Sequence, residues 1–259
     1  MKKFIITICA IFIASIARAD NATINWYVGD SVYDTTTCTI GGDINLPNAP
    51  NVPGHTFLGW KPLYTQIEYL ESTGTQYIDT KFSPNQDTQA IITFMPLHNE
   101  GWVFGARLGP TSSSFAELFT SNKVWRSDYA VEKASSEELL TTPLVGQKIT
   151  INKNKNVSRM FNTSTGTMLG KHDLSVVRFQ IAHRLYLFGI NDNGVFSTGG
   201  GMMQRVYSFK LYYNDVLVCD MIPVLDQNGV ACMFDKVSKT FFYNSGTGDF
   251  VAGPIIGEE

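Results

Sequence analysis

The sequence predicts an all-β protein: a two-sheet sandwich preceded by a small module of its own. Three observations carry this. Runs of β-branched and aromatic residues recur at short intervals, bounded by Gly, Asn, Asp or Pro. Helical periodicity is nearly missing, the one candidate being the short stretch Ser135–Leu140. Proline and glycine gather between Leu46 and Pro62, where the character of the chain changes. The composition agrees, with 44% hydrophobic and 12% aromatic residues but only 17% charged, which excludes disorder.

The first nineteen residues read as an export signal. Lys2 and Lys3 precede an apolar stretch of about fourteen residues from Phe4 to Ala17, and Ala17-Arg18-Ala19 offers a small-x-small cleavage pattern before Asp20. Such a run is too short to cross a bilayer core of about 30 Å as a helix. Cys9 lies inside the apolar run, so no lipid-anchoring cysteine stands at the expected cleavage point. Cleavage there leaves 17 basic against 23 acidic residues, a net charge of −6. That balance argues against nucleic acid as a partner, because no basic excess is present to release counterions. No later run reaches membrane-spanning length. The expected location is therefore exported: extracellular, cell-surface or periplasmic.

Residues 20–62 form the expected small module and residues 64–255 the sandwich. Strands are predicted at Thr23–Val28, Tyr77–Thr80, Ala90–Phe94, Trp102–Ala106, Lys148–Ile151, Leu185–Phe188 and Val206–Tyr213. Hairpin turns are predicted at Asn193-Gly194, Asn214-Asp215 and Asn228-Gly229, where Asn and Gly accept positive φ. Three cysteines follow the signal: Cys38, Cys219 and Cys232. A hairpin centred on Gln227 and Asn228 would set Cys219 near Lys236 and Cys232 near Pro223, out of register for a disulfide; paired and buried free thiols both stay open.

Leu46-Pro47, Pro50, Gly54, Phe57, Gly59 and Trp60 resemble the closing signature of the Listeria-Bacteroides (internalin B-type) repeat, with His55 standing where Tyr is usual. The resemblance covers about 40 residues and implies a β-grasp-like module, here a single trimmed copy. The same residues have a packing rationale of their own. Prolines impose an extended path, and Phe57 and Trp60 supply the apolar area that so small a unit needs.

Residues from Ile67 to Thr80, Val103 to Arg107, Leu185 to Gly189 and Tyr207 to Asn244 are similar to concanavalin A-like (laminin G-like) sandwich domains of bacterial secreted and surface proteins. That resemblance implies a concanavalin A-like jelly roll. It says little about function, since such sandwiches serve enzymes, lectins and spacers alike.

Enzymatic chemistry finds little support. The Glu-x-Asp-x-x-Glu pattern of glycosidases on this sandwich type is missing. Glu68 and Glu71 would point to opposite faces of a strand, Glu137-Glu138 lie in the helical stretch, and Glu100 and Glu117 have no partner at suitable spacing. No nucleophile elbow, zinc-binding helix or phosphate loop occurs, and Gly199-Gly200-Gly201 reads as a loop. The expectation is a non-enzyme without an obligatory cofactor; calcium could be held by Asp192 and Asn193 or by Asp226 and Asn228. For ligand binding the sequence points to Trp125, Arg126, Asp128 and Tyr129, read as an edge segment, with Arg107 nearby. Trp102, in an apolar strand, reads as core. The expected partner is a glycan or cell-surface protein; a structural spacer is the alternative, and a glycoside hydrolase ranks behind both.

Overall fold

The computed structural model describes residues 4–10 (backbone only), 21–29, 31–39, 43–120, 124–135, 144–197 and 203–256. Every regular element in these ranges is a strand. The expected helical stretch and the triple glycine lie outside the described residues, apart from Ser135, which ends a strand. Two units divide the chain: Met1–Thr65 with Asp226–Gly229, and Gln66–Leu225 with Val230–Glu259.

The smaller unit holds β1 (Phe4–Ala10), β2 (Asn21–Val28), β3 (Ser31–Thr39) and β4 (Phe57–Pro62) in the order β3-β2-β1-β4. The segment read as the core of the export signal thus runs antiparallel to β2 and parallel to β4. Gly29, at φ 61°, makes the tight β2–β3 turn that a side chain would strain. Trp60 is the hub of this unit. Its ring centroid lies 4.9 Å from Trp26, 5.4 Å from Phe57 and 5.9 Å from Tyr33, and its indole N–H donates to the Pro47 carbonyl at 3.1 Å. Trp26 is fully buried and donates to Thr36 Oγ1 at 2.8 Å. The signature aromatics are thereby committed to packing.

In chain order the remaining strands are β5 (Thr65–Gln66), β6 (Leu70–Ser72), β7 (Ile78–Asp79), β8 (Thr88–Pro96), β9 (Gly101–Arg107), β10 (Ser114–Phe119), β11 (Trp125–Ala130), β12 (Glu132–Ser135), β13 (Ile149–Asn154), β14 (Val157–Asn162), β15 (Met168–Asp173), β16 (Tyr186–Leu187), β17 (Ile190–Asp192), β18 (Val195–Phe196), β19 (Gln204–Tyr213), β20 (Val216–Leu225), β21 (Ala231–Asp235), β22 (Thr240–Phe242) and β23 (Val251–Ala252). They form two largely antiparallel sheets. The smaller runs β12-β11-β10-β9-β16-β7, with β17 and β18 attached; the larger runs β15-β14-β13-β8-β19-β20-β21-β22, with β5, β6 and β23 attached.

The sheets face each other across one apolar core. Alternation along β8 sends Ala90, Ile92 and Phe94 inward, and β13 sends Ile149 and Ile151 beside them. Rings from the two sheets meet in the middle: Phe94 with Phe119 at 6.3 Å and Phe104 with Phe209 at 5.8 Å. The three expected turns are present. Asn193, Gly194, Asn214, Asp215 and Gly229 all have positive φ between paired strands. At the last turn Cys232 pairs with Val224, one residue from the expected register. Cys219 lies opposite Leu211, so the two cysteines form no disulfide with each other.

Candidate functional site

Three neighbouring strands of the smaller sheet carry the candidate site on the face turned away from the core. Across β9, β10 and β11 the register aligns Trp102, Leu118 and Arg126. Arg107 lies toward the other end of β9. The Arg107 guanidinium sits 5.1 Å from the Trp102 ring centroid and that of Arg126 5.8 Å, both within cation–π range. Each arginine is fixed by a carboxylate. Arg126 makes a two-pronged pair with Asp128, Nε to Oδ1 at 2.6 Å and Nη2 to Oδ2 at 2.8 Å, and Arg107 Nη2 donates to Asp192 Oδ2 at 2.6 Å. Asp128 is fully buried beneath its partner. The Arg107 guanidinium holds the Asp192 carboxyl below its usual range, and Asp128 raises the already basic Arg126.

This arrangement corrects the sequence expectation in two places. Trp125 and Tyr129 are core residues, each 1% exposed, whereas Trp102 is only partly buried. The first reversal follows from alternation. Along β11, Trp125, Ser127 and Tyr129 point into the sandwich, so Arg126 and Asp128 must point out. The second follows from an irregularity in β9. Glu117 pairs with Phe104 but Leu118 with Trp102, so one extra residue, Val103, interrupts the ladder and turns Trp102 to the outer face. Of the four expected ligand residues, only Arg126 and Asp128 lie on the outer side of the sheet, with Asp128 buried beneath Arg126, and Trp102 joins them.

Nearby on the same sheet, Tyr77 is stacked between Tyr186 and Phe196, with both ring-centroid distances 4.4 Å. Burial, together with Tyr77 and Asp79, pushes the Tyr186 hydroxyl up to about 12, so it remains a hydrogen-bond donor at any physiological pH.

Between the sheets lies a polar cluster that spacing along the chain could not reveal. Glu117, read from sequence as lacking a partner, is fully buried and accepts four hydrogen bonds: from Trp125 Nε1 at 2.6 Å, Ser127 Oγ at 2.6 Å, Ser158 Oγ at 2.8 Å and Lys153 Nζ at 3.1 Å. Lys153, also fully buried, donates in addition to Ser127 Oγ at 2.6 Å. These donors come from β11, β13 and β14, and only pairing and packing bring them together. Three of the four reach Oε1, and the indole N–H alone reaches Oε2.

At the turns read as calcium candidates the carboxylates differ, and Asp192 Oδ1 is buried without a hydrogen-bond partner. An Asp192 oxygen is bound to Arg107, and Asp226 Oδ1 accepts the Asn228 backbone N–H at 2.8 Å. Among the described residues no group of three His, Cys, Asp or Glu side chains is placed to hold a metal ion. No protein-family model and no curated protein sequence matches the chain.

Proposed function

We propose that this chain is an exported, non-catalytic binding protein that recognises carbohydrate through the outer face of its smaller sheet, centred on Trp102, Arg107, Arg126 and Asp128. The observation that carries the reading is the ring of Trp102 flanked by two guanidinium groups whose positions carboxylates hold in advance. Arg107 uses only Nη2 on its carboxylate, and Arg126 only Nε and Nη2. Arg107 Nε is buried without a partner, and the other guanidinium N–H groups stand beside an apolar ring, a pairing suited to a sugar, which shows hydroxyl oxygens along its rim and C–H groups on its face. Held in advance, these groups lose little freedom when a ligand arrives.

The export signal at residues 1–19 and the two resemblances, internalin B-type repeat over 20–62 and concanavalin A-like jelly roll over 64–255, support the setting. A second reading, an adhesive or structural spacer, draws on the same ion pairs, because they also satisfy each other without a ligand.

A glycan array with residues 20–259, with and without calcium, decides between them. Binding is expected, and Trp102→Ala should weaken it by about 30-fold, as truncation of a central aromatic anchor does. Silence in both conditions favours the spacer. Cleavage of any member of a polysaccharide panel, abolished by a single carboxylate substitution, would replace both readings with a hydrolase.

A further inference from the structure

The buried cluster between the sheets contains one group with an unmet hydrogen-bonding position. His172, on β15, is 7% exposed, and its ring centroid lies 4.2 Å from that of Trp125. Its Nε2 is buried and has no hydrogen-bond partner. The neighbouring Gly170 leaves Trp125 room to lie along β15, since a Cβ there would come within 3.1 Å of the indole. His172 pairs in register with Ser158, itself a donor to Glu117. Trp125 therefore touches the cluster through its N–H on Glu117 and, on His172, through both its ring and its backbone, whose hydrogen bond favours the charged imidazole without outweighing burial. The result is a clamp that joins β10 and β11 of one sheet to β13, β14 and β15 of the other.

We propose that His172 makes this clamp acid-sensitive: a proton on Nε2 weakens the packing of β15 against β11 and loosens that edge of the sandwich. The new N–H would have no acceptor, and the charge would sit in a site built for a neutral ring. The charged groups around it do not remove the cost. Glu117, from β10, attracts the proton, but its oxygens are already committed to Lys153, two serines and Trp125. Lys153, from β13, repels it. On β14 the facing group is the neutral Ser158. β12 carries Glu132 and Lys133; the Glu132 carboxylate accepts the Ser175 backbone N–H at 2.7 Å. Burial dominates and lowers the imidazole below its ordinary value of 6.5.

The sign of the effect follows. With the folded value below the unfolded one, the unfolded chain binds the extra proton more readily. Stability is fully present above about pH 6.5 and falls as pH drops from there to the folded value, by about tenfold in the folded-to-unfolded ratio for each unit of depression. This inference does not depend on carbohydrate binding, because it is read without ligand.

The test compares urea unfolding of the full chain and of His172→Gln between pH 7.5 and pH 4.5. The wild type should lose folded fraction more steeply below pH 6.5, and the variant, which cannot titrate there, should lose that part of the slope. In parallel, NMR titration of the wild-type histidine ring protons, with His172 identified by its proximity to the Trp125 ring, should show it titrating below 6.5; this measurement needs no variant to fold. An unchanged slope in His172→Gln, or a His172 midpoint at or above 6.5, would overturn the proposal.

Discussion

Individual side chains show where this sandwich departs from an ordinary apolar core. Glu117 and Lys153 are both fully buried and paired with each other; Glu117 also accepts from Ser127 and Ser158, and Lys153 also donates to Ser127. Taking two charges out of water is costly, and only complete hydrogen bonding makes it tolerable. Removing one partner leaves the other charged, buried and unpaired. Glu117→Ala is therefore expected to destabilise the protein by about 3–5 kcal/mol in urea denaturation. The double replacement Glu117→Leu with Lys153→Met should cost less than that single change, because neither charge remains. A double variant as unstable as the sum of its single changes would show that the pair is not coupled.

Among the strands, β9 has the largest consequence for the candidate site. It lies so close to β10 that a Cβ at Gly105 would approach Ala116 Cβ to 2.5 Å and the Ala116 Cα to 3.3 Å. Backbone cannot move aside as a flexible side chain would. Gly105→Ala is expected to cost about 1–3 kcal/mol, and a shift in urea midpoint measures it. The same strand shows the limit of reading by alternation. The run Trp102–Ala106 is legible as a strand from its residue types, but which face Trp102 takes depends on the unpaired residue Val103, and that irregularity has no local signature. Inside β11 the alternation itself was legible in Trp125-Arg126-Ser127-Asp128-Tyr129. What the local pattern lacked was the identity of the buried side, since polar Ser127 faces the core and Arg126 and Asp128 do not.

At the scale of the whole molecule, the cysteines report how differently the two units shield their contents. Cys38, on β3, is partly exposed, whereas Cys219 and Cys232 are buried, and burial beside Asp235 and Asp220 drives the Cys219 thiol far above its ordinary value. Native alkylation of residues 20–259 should label Cys38 alone, and alkylation in denaturant all three, as counted by intact mass. Rapid native labelling of Cys219 would contradict its burial.

All-β character, the three hairpin turns and the packing role of Phe57 and Trp60 follow from the sequence by itself, because they rest on local propensity, turn stereochemistry and the sheer apolar area of a few side chains. Only the tertiary structure decides that Trp102 replaces Trp125 beside Arg126 and Asp128, and that Glu117, Lys153, Ser158 and His172 form one cluster. The physical reason is that a strand's two faces are distinguished by what packs against them. That partner comes from residues distant in the chain, and a single extra residue in a ladder exchanges the faces without altering the composition.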